Sequence, residues 1–223
     1  VRLVRESDSI KEIDVALTDY GLAILCGVFA FMLIRQHPYD RCLSTWFSVL
    51  FISVGLASAI GGTVHGFVNE DTFLHSIFWR GAIACIGVSA LSAWMIGTRI
   101  VFNSLVQKII GTMAVVNFMM YFGYVLFFNQ DFIVAVANYL PSAIFLLITF
   151  VNVYRQTWHR LAFFALVGLA LTFVAAGIQQ LEIGVHPKYF GHNALYHVVQ
   201  AVGLSLIFHG STFFVKFAAT RTN

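Results

Sequence analysis

The sequence predicts an all-α integral membrane protein: a bundle of seven transmembrane helices, with its N-terminus outside and its C-terminus cytoplasmic. Composition is the first reason, since 59% of the 223 residues are hydrophobic, only 10% are charged, and mean hydropathy is +0.83. A soluble domain carries about 25% charged residues because its surface must be wetted, so most of this surface faces something apolar. The second reason is length. Seven apolar windows each reach the roughly 20 residues that a helix needs to cross a hydrocarbon core about 30 Å thick. The third is punctuation, because short polar breaks (RQHPYDR, NEDT, TRIVFN, NQD, RQTWHR and LEIGVHPKY) separate those windows.

The first window, 15–35, follows a polar tail of mixed charge, 1–14, that does not read as a signal peptide. It carries Asp19 and Tyr20 in its first turns. The second, 44–67, ends in GGTVHGF with His65. The third, 74–97, opens on LHSIFWR with His75 and Arg80, and the fourth is 104–128. The fifth, 132–154, contains Pro141, which removes a backbone donor and is expected to kink the helix. The sixth, 159–180, ends on Gln179 and Gln180. The seventh, 191–216, begins in GHNALYHVVQ with His192, Asn193 and His197. Residues 15–217 therefore read as one transmembrane domain, with 218–223 as a C-terminal tail and no internal repeat. Trp46, Trp79 and Trp158 fall near the expected interfaces, where amphipathic rings settle.

Basic residues orient the bundle. Arg35 and Arg41, Arg99 and Lys108, Arg155 and Arg160, and Lys216 and Arg221 mark the odd loops and the C-terminus as cytoplasmic. The second and fourth loops carry Glu70, Asp71 and Asp131 and no base. The tail, with Arg2, Arg5 and Lys11, dissents. A bacterial inner membrane is the default location.

Several chemistries are excluded. The net charge of +3 is spread over short loops, with no basic–aromatic block to hold a nucleic acid. Cys26, Cys42 and Cys85 are isolated, which excludes a CxxC metal site and a disulfide framework. No GxxxxGK[ST] motif or Ser-His-Asp set occurs.

The histidines, by contrast, converge. With alternating helix direction, His65, His75, His186, His192 and His197 all map to the outer half, beside Asp19 and Tyr20, while His37, His159 and His209 do not. Ionisable groups inside a bilayer are costly and commonly face the bundle interior, which makes them functional candidates. A single histidine near a helix end, however, more often hydrogen-bonds a local carbonyl or interfacial water. On a helix, positions four apart differ by about 40° and positions five apart by about 140°. Asn193 and His197 therefore share a face and His192 points elsewhere. His65, His197 and Asn193 are a poorer zinc set than three histidines, because an amide oxygen is a weak zinc ligand.

These residues resemble the CREST superfamily of seven-helix membrane proteins, which includes the alkaline ceramidases and the progestin and adipoQ receptors. That family carries Ser-xxx-His late in helix two and His-xxx-His at the start of helix seven. NALYHVVQAVG is similar to the second motif, and IFHG to a segment of the receptors. His65 matches the helix-two ligand and His197 the second helix-seven ligand. The first helix-seven ligand falls on Asn193, with His192 one place away, and the serine falls on Gly61, with Ser58 a turn back. No aspartate lies in the third window. The resemblance implies a zinc site and a lipid-amide hydrolase, or a catalytically altered relative of one.

Three readings follow. The first is a binding or accessory protein whose outer histidine cluster holds a membrane lipid, a small ligand or another membrane subunit. The second is a zinc-dependent hydrolase of a membrane-lipid amide or ester. In it His65, His197 and either His192 or Asn193 hold the metal, Asp19, His75 or Glu70 acts as general base, and Tyr20 and Arg80 steady an oxyanion. The third is a haem or pigment site with His65 and His197 as axial ligands.

Overall fold

The computed structural model describes residues 12–35, 39–69, 71–186 and 190–222. Arg2, Arg5, Lys11, His37 and Glu70, considered above, lie outside these residues. The chain forms seven helices: α1 (Ile13–Arg35), α2 (Arg41–Phe67), α3 (Phe73–Val101), α4 (Ser104–Phe127), α5 (Phe132–Thr157), α6 (Arg160–Gln180) and α7 (His192–Thr222). Each is long and apolar enough to cross a membrane. The protein is thus a polytopic, all-α integral membrane protein, as the hydropathy and spacing require. The expected spans match within a few residues, except that α7 runs on through most of the stretch expected as a C-terminal tail.

The helices start where short polar side chains can satisfy their first N–H groups. Asp40 accepts from Leu43 N–H at the start of α2, Thr72 from His75 N–H at α3, and Asn103 from Val106 N–H at α4. His159 does the same for α6 through Nδ1, and its ring stacks on Phe213 at 4.3 Å. That histidine is a cap. His209, whose Nδ1 lies 2.8 Å from the Ser205 carbonyl one turn back, is likewise locally bonded. Helix α5 is continuous through Pro141, where the Ser142 hydroxyl donates to the Tyr139 carbonyl.

The packing order is a ring. Helix α1 lies against α2 and α7, α2 against α3, α3 against α5, α5 against α6, and α6 against α7, while α4 sits outside against α3. Small residues let neighbours close up, as membrane packing favours. A Cβ on Gly168 would stand 2.4 Å from the Gly203 carbonyl oxygen, and one on Gly203 would stand 2.7 Å from that of Gly168. Helices α6 and α7 therefore touch backbone to backbone there. Toward the end of the ring that holds the N-terminus of α2, aromatic rings fill the interior. Phe29 stacks on Phe208 at 4.3 Å with Phe51 edge-on to both, and Phe150 stacks on Phe214. At that same end Arg99 reaches from α3 to Asp40 at 2.9 Å and also to Gln107, tying two loops together.

Candidate functional site

At the opposite end the ring stays open inside. A cavity of about 200 Å³ is walled by all six ring helices. Its polar residues gather toward the end where α7 begins: Asp19, His65, Gln179, Gln180, Asn193 and His197. Deeper walls are mostly apolar, with Val54, Ile86, Leu146, Leu169, Leu204 and Ile207, interrupted by Ser89 and Thr172. Along α2 the wall runs from His65 down to Leu50, a distance of about 22 Å at 1.5 Å per residue.

The centre of the polar end is a three-helix junction. His197, on the second turn of α7, is 8% exposed, and Asp19, on the second turn of α1, is 2% exposed. Asp19 Oδ1 lies 3.1 Å from His197 Nε2, while Thr18 Oγ1 lies 3.2 Å from Nδ1. Two consecutive residues of α1 thereby hold both ring nitrogens. The third helix, α2, approaches Asp19 through glycines. A Cβ on Gly61 would sit 3.3 Å from Asp19 Oδ2, and one on Gly62 would sit 2.9 Å from Asp19 Cβ. Ser58, one turn further along α2, hydrogen-bonds the same carboxyl group. The start of α7 is anchored separately, since Gly191 N–H donates to Asp14 Oδ2 at 3.0 Å. That bond fixes the register that presents Asn193 and His197 on one face, as their four-residue spacing anticipates.

His65 completes the mouth. Its Nδ1 lies 2.8 Å from Glu12 Oε2, and both side chains are partly exposed, at 29% and 49%. Tyr196 and Tyr139 add hydroxyls to the wall, and Gln200 hydrogen-bonds Tyr196. Of the expected site residues, the structure brings Asp19, His65, Asn193 and His197 to one cavity. The others stand apart. Thr63 donates to the Ala59 carbonyl, so the Tyr20 hydroxyl donates to Thr63 at 2.9 Å and is consumed there, off the cavity. His75 stacks near Trp79, whose Nε1–H donates to the Gln130 carbonyl. Arg80 lies outside the wall with its Nε buried and unpartnered, and His192, the first residue of α7, faces elsewhere.

The donor set as placed does not fit a tetrahedral zinc. Among the described residues no three His, Cys, Asp or Glu side chains stand close enough to share a metal. Both His197 nitrogens are engaged by Thr18 and Asp19, so a metal or haem iron would have to displace one of them. What the arrangement does offer is hydrogen bonding: a carboxyl group, an imidazole and several amides and hydroxyls at one end of a mostly apolar slot.

Sequence reasoning overlooked Glu12 and Thr18, and it read Gln179 and Gln180 only as the end of α6. The four-residue step from Asp14 to Thr18 marks a polar edge of α1 that could have been followed. Nothing in the sequence pairs Glu12 with His65.

These features define a class: a seven-helix membrane protein with an internal cavity, polar at one end and mostly apolar along its depth. The chain belongs to DUF6962, a family of unknown function, whose model matches residues 15–214. No curated protein and no solved structure matches it.

Proposed function

We propose that this protein binds an amphiphilic molecule of the membrane, a lipid or lipid-like ligand, inside the six-helix ring. The single observation that carries this reading is the polarity gradient of the cavity. Ligand sites are concave and mostly apolar, with a few convergent polar groups that fix orientation. Here the convergent groups are Asp19, His65, Asn193 and His197 at one end, and the remaining length is lined mostly by aliphatic and aromatic side chains, with Ser89 and Thr172 among them. Such a slot takes a chain along its depth and a head at its mouth. With the basic loops cytoplasmic, the mouth faces outward.

The zinc-dependent hydrolase of a membrane-lipid amide or ester is the competing reading. It draws on the same convergence and on the resemblance to the CREST proteins, in which His65 and His197 hold ligand positions. It requires His197 to exchange a protein partner for metal.

One experiment separates the two. The protein is purified in a mild non-ionic detergent, and its bound small molecules and metals are measured by mass spectrometry, alongside Ala57→Phe and Ala176→Phe, which place a ring in the cavity. An amphiphile near stoichiometry, depleted in both folded variants, supports binding. Its absence above background sinks the reading. Near-stoichiometric zinc, lost in His65→Ala and His197→Ala, transfers the case to the hydrolase.

A further inference from the structure

The polar end of the cavity is also selective by charge. Among the described residues no lysine or arginine lines it; the ionisable groups in the wall are Asp19, His65 and His197, besides the hydroxyls of Tyr139 and Tyr196. A phosphate or sulfate head would therefore enter without a cation to receive it, although such heads are ordinarily held by Arg or Lys. Asp19 is the one carboxyl group in the wall. Two carboxylate oxygens offer about four lone-pair positions, and His197 Nε2 and Ser58 account for two of them. Space in front of the rest is kept by a glycine. Gly61 lines the cavity, and even a methyl there would stand 3.3 Å from Oδ2 and 3.6 Å from Oδ1.

We infer that the ligand's head is a cationic amine, seated over Gly61 with an N–H donated to Asp19, and that the cavity discriminates against phosphate-headed lipids. This rests on the amphiphile reading and narrows it to a class. The physical reason is compensation. An ionised carboxylate inside a membrane helix is costly unless a partner offsets its charge. A neutral imidazole supplies a hydrogen bond but no countercharge, whereas a bound ammonium supplies both. The Glu12–His65 pair at the mouth adds a second carboxylate on the approach and again no fixed cation. Asn193, Gln179 and Gln180, which also line the cavity, are uncharged and add no cation.

The test is a headgroup series at constant chain length: dodecylamine, dodecanol and dodecyl phosphate, titrated into the unaltered protein by calorimetry in a non-ionic detergent. The expected result is saturable binding of the amine about tenfold or more tighter than the alcohol, with the phosphate weakest. Asp19→Asn, checked for folding by circular dichroism, removes the preference of amine over alcohol. Amine binding no tighter than alcohol binding, or a preference for the phosphate, overturns the amine head and leaves the amphiphile reading standing. If none of the three saturates, the amphiphile reading fails and this inference with it. Because the series uses the unaltered chain, it decides the question even if the Asp19 variant does not fold.

Discussion

At the scale of single residues, the site depends on how α1 spends its side chains on one imidazole. Thr18 Oγ1 lies 2.9 Å from the Asp14 carbonyl, 3.0 Å from that of Val15 and 3.2 Å from His197 Nδ1, so its one proton is shared between the backbone and the ring. Replacing it with valine keeps the shape and deletes the hydroxyl. An intramolecular hydrogen bond is worth about 1 kcal/mol net, and an orphaned buried group costs about 1–3 kcal/mol. Thr18→Val should therefore lower unfolding stability in detergent by about 1–3 kcal/mol, while Thr18→Ser stays near the parent. Equal stability of valine and parent proteins would show that the Thr18 contact does not hold the ring. At this scale the sequence was legible where a titratable group interrupts an apolar run. Asp19, His65 and His197 stand out for that reason. Glu12 and Thr18 did not, because one lies in a polar tail and the other looks like an ordinary span threonine.

Individual helices were the most legible level, since a span is a local property of about 20 residues. Their neighbours were not. That α4 lies outside a six-membered ring follows from which faces carry small residues, and that pattern is weak against a background in which glycine is common in membrane helices. Helix α6 offers an internal contrast that tests the point. Gly168 is pressed against Gly203, while nothing lies within 4 Å of a Cβ placed on Gly177. Gly168→Leu must force α6 and α7 apart, and overpacking of this kind costs about 1–3 kcal/mol or more. Gly177→Leu, on the same helix with the same added volume, should be tolerated. Thermal unfolding of the two proteins in one detergent checks this. Comparable losses in both would mean that leucine itself, and not the contact with α7, is the problem.

For the whole molecule, the two ends differ in charge and in filling, and these asymmetries agree. The end with the aromatic interior carries Arg35, Arg41, Arg99, Lys108, Arg155, Arg160 and Lys216 among the described residues, and there Arg99 fastens Asp40 and Gln107 across two loops. The end with the cavity carries acids and histidines, with Arg80 its one basic residue among those described. If the cavity takes a ligand as proposed, entry is from the end away from the aromatic packing, and because basic loops stay cytoplasmic the mouth should face outward. The cysteines make this measurable. Cys42 is exposed at the second residue of α2, at the basic end, whereas Cys26 is buried in α1 and Cys85 is partly buried in mid-α3. A membrane-impermeant maleimide should label Cys42 in inside-out vesicles and not in sealed right-side-out ones, and Cys42→Ser should abolish the signal. Labelling from the outer side instead would invert the molecule, place the Asp19–His197 junction near the cytoplasm, and require the cavity's ligand to arrive from the inner leaflet or the cytosol.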